Sequence, residues 1–313
     1  MTAGDSLNER WCIVVADDHG QEWAPGLDAD RKSPVQYSRL DESGTLLERA
    51  LSRARRLAPT SQILLTALEE HREYWEPAAW LLRPENRFVC DNRAASVLTA
   101  AAALLSIAAA SPSHIVAVIP ARCHVAQELI LSAVLDLAWS RLQSVPEGVV
   151  TLGMLDANEG IDEDYIVTAR PKIGVGLRIE GFARRPPAWV ARHLRANGAM
   201  IASGIMIGYA GAFAAHITKH WPGLTHKLLG LWRTSAQANS ECEITMDVAR
   251  GIPKPVIKYF RWQPPSLSQR AFCVRGCGWS GLKSAHAVSK LCAYLSSAKS
   301  FDFEPLKTGA EFV

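Results

Sequence analysis

The stretch "AASVLTAAAALLSIAAASPSHIVAVIP", residues 94–120, predicts the fold class. Its first part, residues 94–110, is apolar and rich in alanine but shorter than a bilayer span, so it indicates a helix buried within the protein. The breaker "SPS" then leads into "HIVAVIP", whose continuous valine and isoleucine content is typical of a strand covered on both faces. A buried helix followed by a buried strand indicates a parallel sheet with helices packed against it.

The rest of the first half repeats this alternation of short apolar runs and helix-length amphipathic segments. The predicted strands span residues 12–16, 62–67 and 87–90, and the predicted helices span residues 45–58, 69–82 and 126–143. This pattern predicts an α/β protein with a Rossmann-like, doubly wound sheet. Ligands of such sheets lie beyond the carboxyl ends of the strands, which places the loop after Ala16 and the segment "PARCHV" on one rim.

From residue 148 the pattern changes to strand pairs, so the sheet is predicted to be mixed rather than wholly parallel. A helix is predicted over residues 187–198 with Gly198 as its stop, and a further strand follows it. We expect an α/β core over residues 9–235. Residues 236–313 are expected to complete the same domain or to form a small C-terminal appendage.

Composition and charge exclude several classes of protein. The 313 residues are 48% hydrophobic, which suffices for one large or two small globular domains. The formal net charge of +3, from 34 basic and 31 acidic residues, predicts neither nucleic-acid nor membrane binding. The absence of a leader before Trp11 and the uneven spacing of the seven cysteines indicate a cytoplasmic protein. Cys273 and Cys277 lack a second ligand pair, so no metal site is predicted.

Eight short segments, in order, resemble one enzyme family. They are "ADDHGQEWAP" (16–25), "PVQ" (34–36), "NRAASV" (92–97), "IPARCH" (119–124), "DEDYI" (162–166), "FARRP" (182–186), "IASG" (201–204) and "GWSG" (278–281). Together they resemble the sugar-1-phosphate nucleotidylyltransferases, most closely the short bacterial mannose-1-phosphate guanylyltransferases, over roughly residues 11–291. The resemblance implies a glycosyltransferase-A-like variant of the Rossmann-like fold.

The departures from the family fall at the positions that bind substrate or metal, or that catalyse transfer, in the family. The paired glycines of the triphosphate loop stand here as Asp17 and Asp18, and the loop arginine stands as Glu22. Like charges about 4 Å apart repel by roughly 1 kcal/mol in water and by about 4 kcal/mol at an intermediate dielectric, so three acidic residues oppose a triphosphate. The lysine that would steady the transferred phosphates is Val35.

The metal, sugar and base positions also depart from the family. The first magnesium-binding aspartate aligns with Arg122, or with Cys123 if one residue is inserted, and the second aligns with Gly281. At the sugar-binding positions, Arg184 and Arg185 replace a Glu-Lys pair, Ala202 replaces an asparagine, and Asp162, Glu163 and Asp164 replace Gly-Tyr-Gly. In the base-reading segment Arg93 is kept, and Ala94 and Ala95 replace the family's Asn and Thr. We therefore predict no cofactor and no catalytic residue, and the substitutions argue against nucleotide or sugar-phosphate binding.

The resemblance still defines a ligand cleft. Its candidate residues are Asp17, Asp18, His19, Gly20, Gln36, Arg93, Arg122, Cys123, His124, Asp164, Arg184, Arg185 and Ser203. The first hypothesis is a pseudoenzyme that keeps the fold for binding or regulation, with an active homologue or a second copy of itself as partner. Some of the ten tryptophans would suit such a subunit contact, although tryptophans more often lie in the core.

Two enzymatic hypotheses stay open. In the first, an active nucleotidylyltransferase of the GDP-mannose type works by an altered site, with magnesium held by Asp17 or Asp18. In the second, a different enzyme uses Asp17, Asp18 and His19 together with Cys123 and His124. The simpler interpretation is that Asp17, Asp18 and His19 cap a solvated loop that no longer faces a ligand, while Cys123 packs as a small apolar side chain.

Overall fold

The computed structural model describes residues 10–16, 33–91, 96–142, 148–155, 163–169, 176–249 and 268–299. The strands in these ranges are β1 (Arg10–Val15), β2 (Arg39–Asp41), β3 (Gly44–Thr45), β4 (Ile63–Leu68), β5 (Arg87–Cys90), β6 (Ile115–Pro120), β7 (Cys123–Val125), β8 (Gly148–Met154), β9 (Tyr165–Thr168), β10 (Leu177–Ala183), β11 (Met200–Tyr209), β12 (Cys242–Ile244), β13 (Ser268–Val274) and β14 (Trp279–Gly281). The helices are α1 (Leu46–Leu57), α2 (Arg72–Trp75), α3 (Ser96–Ala110), α4 (Glu128–Leu142), α5 (Ala188–Ala196), α6 (Ala210–His220), α7 (Pro222–Ala238), α8 (Met246–Ala249) and α9 (Ala285–Lys299).

One mixed sheet organises these elements. Its strand order is β12-β5-β4-β1-β6-β11-β8-β13-β10-β9, with β9 also pairing with β11. Strands β12, β5, β4, β1 and β6 run parallel to one another, whereas β11 is antiparallel to both β6 and β8. The predicted α/β fold with a doubly wound, mixed sheet is therefore confirmed.

Apolar side chains on both faces of the sheet pack against helices. Alternate residues of a strand point to opposite faces. Accordingly, Cys12 and Val14 of β1 lie in a core with α1 and α4, whereas Ile13 lies in a second core with α3, α6 and α7. This explains why the strands read as continuous apolar runs.

Helix α1 begins with a capping box. The Glu48 backbone N–H donates to Thr45 Oγ1 at 3.1 Å, and the Thr45 backbone N–H donates to Glu48 Oε2 at 2.7 Å. Two N–H groups that the helix cannot satisfy internally are thereby paired. The helix then directs its buried side chains, among them Leu47, Leu51 and Arg53, toward the sheet.

The prediction of one helix over residues 69–82 is wrong in length. The structure has a 3₁₀ turn at residues 69–71, the four-residue helix α2, and turns from residue 76 onward. Pro77 has no backbone N–H and its ring clashes with the preceding turn, so it ends the helix. The Trp75 indole N–H still donates to the carbonyl of Leu68 at 2.9 Å, which holds this segment on the sheet.

The C-terminal segment contributes strands to the main sheet. β12 pairs with β5 at one edge, and β13 lies between β8 and β10. The division at residue 235 stays a prediction. Across the described ranges, every helix is too short or too polar to cross a membrane.

Candidate functional site

The carboxyl ends of β1 and β6 lie side by side at one rim of the sheet. Val15 is in register with Pro120, and the Ala121 backbone N–H donates to the Val15 carbonyl at 2.8 Å. The segment after Ala16 and the segment after Pro120 therefore start at the same rim. The candidates Asp17, Asp18, His19 and Gly20, together with Glu22, Asp162 and Arg93, lie outside the described residues.

Gln36 is fully buried at this rim. Its side-chain amide donates to the carbonyl of Ala16 at 3.1 Å, and the Tyr37 hydroxyl donates to the same carbonyl at 3.1 Å. These two hydrogen bonds tie the 3₁₀ turn at residues 35–37 to the end of β1. The Gln36 side chain thus supports the backbone from which the predicted triphosphate loop departs.

The two segments that resemble metal-binding motifs form one small ribbon. β7 pairs antiparallel with β14, so that Cys123 lies opposite Gly281 and His124 lies opposite Ser280. The backbone N–H of Leu282 continues the contact by donating to the Arg122 carbonyl at 3.4 Å. Segments that lie far apart in the sequence are therefore neighbours at the rim.

A carboxylate from another segment fills the space beside Gly281. A Cβ atom at Gly281 would overlap Glu163 Oε1 and would lie 2.7 Å from Cη2 of Trp279. Real Cβ atoms do not approach that closely, so glycine is required there as long as Glu163 keeps its place. The aspartate that the family resemblance expects at position 281 would collide with Glu163.

Glu163 belongs to a charged cluster that we define as Arg122, Glu163, Asp164 and Lys283. Lys283 Nζ donates to Glu163 Oε2 at 2.7 Å and lies 4.0 Å from Asp164 Oδ2. The Glu163 side chain is only 6% exposed, and that of Lys283 is 23% exposed. The positive charge of Arg122 acts on Glu163 as well. Two cations and two anions thus offset one another at the rim.

Burial raises the pKa of Glu163 above its ordinary value, because a charged carboxylate is poorly solvated there. Lys283 opposes the rise by its charge and its hydrogen bond, as does Arg122 by its charge, whereas Asp164 adds to it. The Lys283 ammonium is therefore the main group that keeps a charge on this buried side chain.

Asp164 links the charged cluster to the "FARRP" segment. Its Oδ1 accepts a hydrogen bond from the backbone N–H of Arg185 at 3.2 Å, and its carbonyl accepts from Ala202 at 2.8 Å. Arg185 has a φ of 36°, which is uncommon for a residue with a side chain. The side chains of Arg184 and Arg185 are exposed, so the structure does not bury them in the cleft.

Cys123 and His124 are buried, with exposures of 2% and 3%. The Cys123 thiol donates to the Pro120 carbonyl at 3.4 Å and lies 3.7 Å from Nη1 of Arg53. Burial raises the pKa of this thiol, although Arg53 lowers it. A thiol with a raised pKa is a weak nucleophile at neutral pH, so this geometry favours packing over catalysis.

Arg53 is held mainly by Glu128. Its Nε and Nη2 atoms donate to the two carboxylate oxygens of Glu128 at 2.9 and 2.7 Å, which is the bidentate geometry of a strong pair. The Arg53 side chain is 1% exposed. This pair joins α1 to the start of α4 beneath the β7–β14 ribbon.

Ser203 has a structural role in the bulge of β11. Its hydroxyl donates to the Leu152 carbonyl at 2.7 Å and accepts from the Ile205 backbone N–H at 3.0 Å. The register of β11 against β8 shifts between Ala202 and Met206. The adjacent Gly204 has a φ of 80°, which glycine adopts without strain.

Val35 lies in an apolar cluster rather than in a cleft. It is 0% exposed and packs with Leu40, Leu46, Leu282, Val288 and Leu291. The last two residues belong to helix α9, which therefore covers the 3₁₀ turn. A lysine at position 35 would have to bury its ammonium among these side chains.

The chain was compared with known proteins by sequence and by structure. No family model matches the sequence, and no curated protein matches it. Among solved structures, it is similar to a mannose-1-phosphate geranyltransferase from Thermus thermophilus, with a TM-score of 0.64, 22% identity and coverage of 88% of this chain and 76% of the other. It is also similar to a mannose-6-phosphate isomerase from Helicobacter pylori, with a TM-score of 0.64, 14% identity and coverage of 87% and 99%.

A third solved structure, a putative glucose-1-phosphate thymidylyltransferase from Bacillus anthracis, has a TM-score of 0.54 at 10% identity, with coverage of 94% of this chain and 97% of the other. The chain has the sugar-1-phosphate nucleotidylyltransferase fold. At these identities the comparison establishes the nucleotidylyltransferase fold and leaves the activity to be argued from the residues.

The charged cluster does not fit the magnesium ion that the nucleotidylyltransferase resemblance implies. Magnesium needs near-octahedral oxygen ligands about 2.0–2.1 Å away, and the Lys283 ammonium already lies between the two carboxylates of the cluster. In the part of the chain that is described, no three His, Cys, Asp or Glu side chains are grouped to hold a metal.

The sequence alone did not identify Lys283 or Arg53 as residues of this region. Lys283 follows "GWSG" by two positions, and that proximity was the available signal. Arg53 lies in "LSRARRLA", which resembles the solvated face of an amphipathic helix. Its burial depends on Glu128, which is 75 positions away, so no local pattern could reveal it.

Proposed function

We propose that this protein is a catalytically inactive protein of the nucleotidylyltransferase fold that acts by binding a partner, either an active homologue or a second copy of itself. The observation that carries the proposal is that Glu163 occupies the space that a side chain at position 281 would need. One of the two expected magnesium ligands is absent, and a different side chain occupies its space.

The electrostatics of the charged cluster supports this interpretation. A catalytic magnesium would supply positive charge to bridging phosphates. Here Lys283 lies beside Glu163, and its ammonium is already neutralised by that carboxylate. The other expected ligand position holds Arg122 or the buried Cys123, neither of which binds magnesium.

The packing of Val35 supports it independently. Transfer of a nucleotidyl group needs a cation near the developing charge on the phosphates. Position 35 instead supplies two methyl groups to an apolar cluster closed by α9. A lysine at this position would place an ammonium among these apolar side chains, so the packing opposes a cation there.

The active-nucleotidylyltransferase alternative needs the metal to be held by Asp17 or Asp18, which follow β1 in the sequence. The alternative with Cys123 as a nucleophile is disfavoured by the burial and raised pKa of its thiol. Both alternatives predict turnover that depends on residues in the segment after Ala16.

The deciding experiment measures pyrophosphate release by the purified protein with magnesium or manganese, with a panel of nucleoside triphosphates and with mannose-1-phosphate or glucose-1-phosphate. We expect no release above the protein-free control. The matched variants are Asp17→Ala and Asp18→Ala, which should behave like the parent protein. Release that either variant abolishes would contradict the proposal and establish a rebuilt active site.

A second arm tests the partner role. The protein is added in increasing amounts to an active nucleotidylyltransferase from the same cell, and kcat/KM and the mass of the complex are measured. A change in kcat/KM that saturates with a defined stoichiometry supports the proposal for the homologue. A stable dimer of the protein alone supports self-association, and a monomer that leaves the enzyme unaffected contradicts both.

A further inference from the structure

Helix α5 exposes a tryptophan and two basic residues on one face. Trp189 is 70% exposed, and Arg192 and His193 are exposed as well. Residues three and four positions apart share a helix face, so these three side chains are neighbours. Ala191, on the other side of the helix, is buried. A surface helix normally turns its large apolar side chains inward, whereas Trp189 points outward beside basic side chains.

The sequence around α5 is basic. Residues 181–200 contain no Asp or Glu and four arginines, namely Arg184, Arg185, Arg192 and Arg195. All four lie in or shortly before α5. The net charge of +3 for the whole chain conceals this local excess of positive charge.

The segment before α5 is held in one conformation. The backbone N–H of Arg185 donates to Asp164 Oδ1 at 3.2 Å, and Pro186 and Pro187 follow directly. Proline fixes φ and restricts the residue before it. The backbone at Arg185 is thereby restrained next to α5, and the Arg185 side chain is exposed.

We propose that Arg185, Trp189, Arg192 and His193, the basic-aromatic patch, bind the surface of an anionic phospholipid membrane. An indole ring prefers the boundary between headgroups and acyl chains, where its apolar body is buried and its N–H stays hydrated. Guanidinium groups around it pair with lipid phosphates. This attachment is peripheral and reversible, as one short helix with a single anchor provides only modest binding.

The patch fits a membrane better than it fits nucleic acid. Proteins that bind single strands stack successive bases on several aromatic side chains along a groove. By contrast, α5 offers one exposed ring on its outer face. The patch departs from the expectation drawn from net charge, because a membrane responds to local rather than total charge. The proposal is independent of whether the protein has enzymatic activity.

The protein contains its own control tryptophan. Trp80 is 71% exposed, and the charged residues nearest to it in the sequence are Glu76, Arg83 and Glu85, which together carry a negative charge. Its exposed fraction matches that of Trp189, whereas its sequence neighbourhood lacks the basic excess. Arg55, an exposed residue of α1, is the matched control for Arg192.

The test is co-sedimentation of the full-length protein with vesicles of phosphatidylcholine alone or with about 30% phosphatidylglycerol. We expect binding to the anionic vesicles that weakens as salt rises from about 0.05 to 0.5 M, since the Debye length shrinks several-fold. Arg192→Gln should lower the partition coefficient about fivefold, the equivalent of one basic residue near the surface. Trp189→Ala should lower it about tenfold, and Trp80→Ala and Arg55→Gln should not change it.

Two results would overturn the proposal. The first is equal binding to neutral and anionic vesicles, or none to either. The second is a parent protein that is dimeric by light scattering and becomes monomeric in Trp189→Ala, since the ring would then belong to a subunit contact. Circular dichroism and the unfolding midpoint of each variant exclude misfolding, and these exposed substitutions should leave both within error of the parent.

Discussion

The Glu163–Lys283 pair sets the chemistry of the rim at the scale of single residues. A buried ion pair contributes little net stability, but removal of one partner leaves an uncompensated charge and costs several kcal/mol. Glu163 is the more deeply buried partner, and its carboxylate lies where a side chain at position 281 would point. The pair therefore makes the rim sensitive to substitution and to pH.

We predict that Lys283→Met lowers the free energy of unfolding by about 3 kcal/mol at pH 7.5, because Glu163 loses its main counter-charge. The folded-state pKa of Glu163, already raised by burial, should rise further. Between the unfolded value of about 4.3 and this raised value, the folded state then binds more protons than the unfolded state, so stability increases as pH falls. Urea unfolding at several pH values measures this effect.

The matched control for this prediction is the double variant Glu163→Gln with Lys283→Met. It removes the buried charge, so it should recover stability at pH 7.5 and lose the added pH dependence. A Lys283→Met protein as stable as the parent at every pH would mean that the ion pair contributes nothing at the rim.

At the scale of elements, the packing of helix α9 restricts which side chains fit at position 35. Val288 and Leu291 of α9 pack on Val35, together with Leu282 at the end of the β7–β14 ribbon. This packing joins the C-terminal helix to the turn that supports the predicted triphosphate loop. We therefore expect the packing of this helix on the turn to disfavour a cation at position 35.

We predict that Val35→Lys destabilises the protein by about 3 kcal/mol or more, since an ammonium would be transferred into an apolar cluster. Val35→Met, which has a similar length and no charge, is the control and should cost about 1–3 kcal/mol through overpacking. Denaturant unfolding of both variants gives the comparison. Equal losses would show that size rather than charge opposes lysine at this position.

At the scale of the whole molecule, the C-terminal segment shares the main sheet with the core. β13 pairs with β8 over its whole length and also with β10, and α9 covers the turn at Val35. β13 is parallel to β8 on one side and antiparallel to β10 on the other, so it is an inner strand. Removal of an inner strand leaves two unpaired sheet edges and an open core.

We predict that a chain truncated after residue 235 fails to unfold cooperatively. The loss of β13 and α9 removes pairing from the sheet and the cover from the Val35 cluster, so the truncated chain should be poorly soluble or molten. Circular dichroism melting and the urea m-value test this. A cooperative transition with an m-value proportional to the shorter length would instead support an independent core over residues 9–235.

The periodicity of the sequence was sufficient for the fold class. Residues 114–120 and 148–154 are largely apolar, and they contain strands β6 and β8. The helix predicted over residues 69–82 was wrong, because Pro77 ended a segment whose composition otherwise suited a helix. Apolar periodicity and the effect of a proline both act over one or two helical turns, so both can be read from a short stretch of sequence.

The amino-acid sequence by itself determined the α/β class, the mixed sheet and the rim shared by the ends of β1 and β6. The first two follow from short-range alternation, and the rim follows from the general rule that ligands of such sheets lie beyond the carboxyl ends of the strands. Only the tertiary structure decided why position 281 is glycine and position 35 is valine. Glu163 and Lys283 are 120 positions apart, and Val35 meets α9 from the other end of the chain. Those residues are constrained by the volume and charge of distant side chains, which exist as neighbours only once the chain has folded.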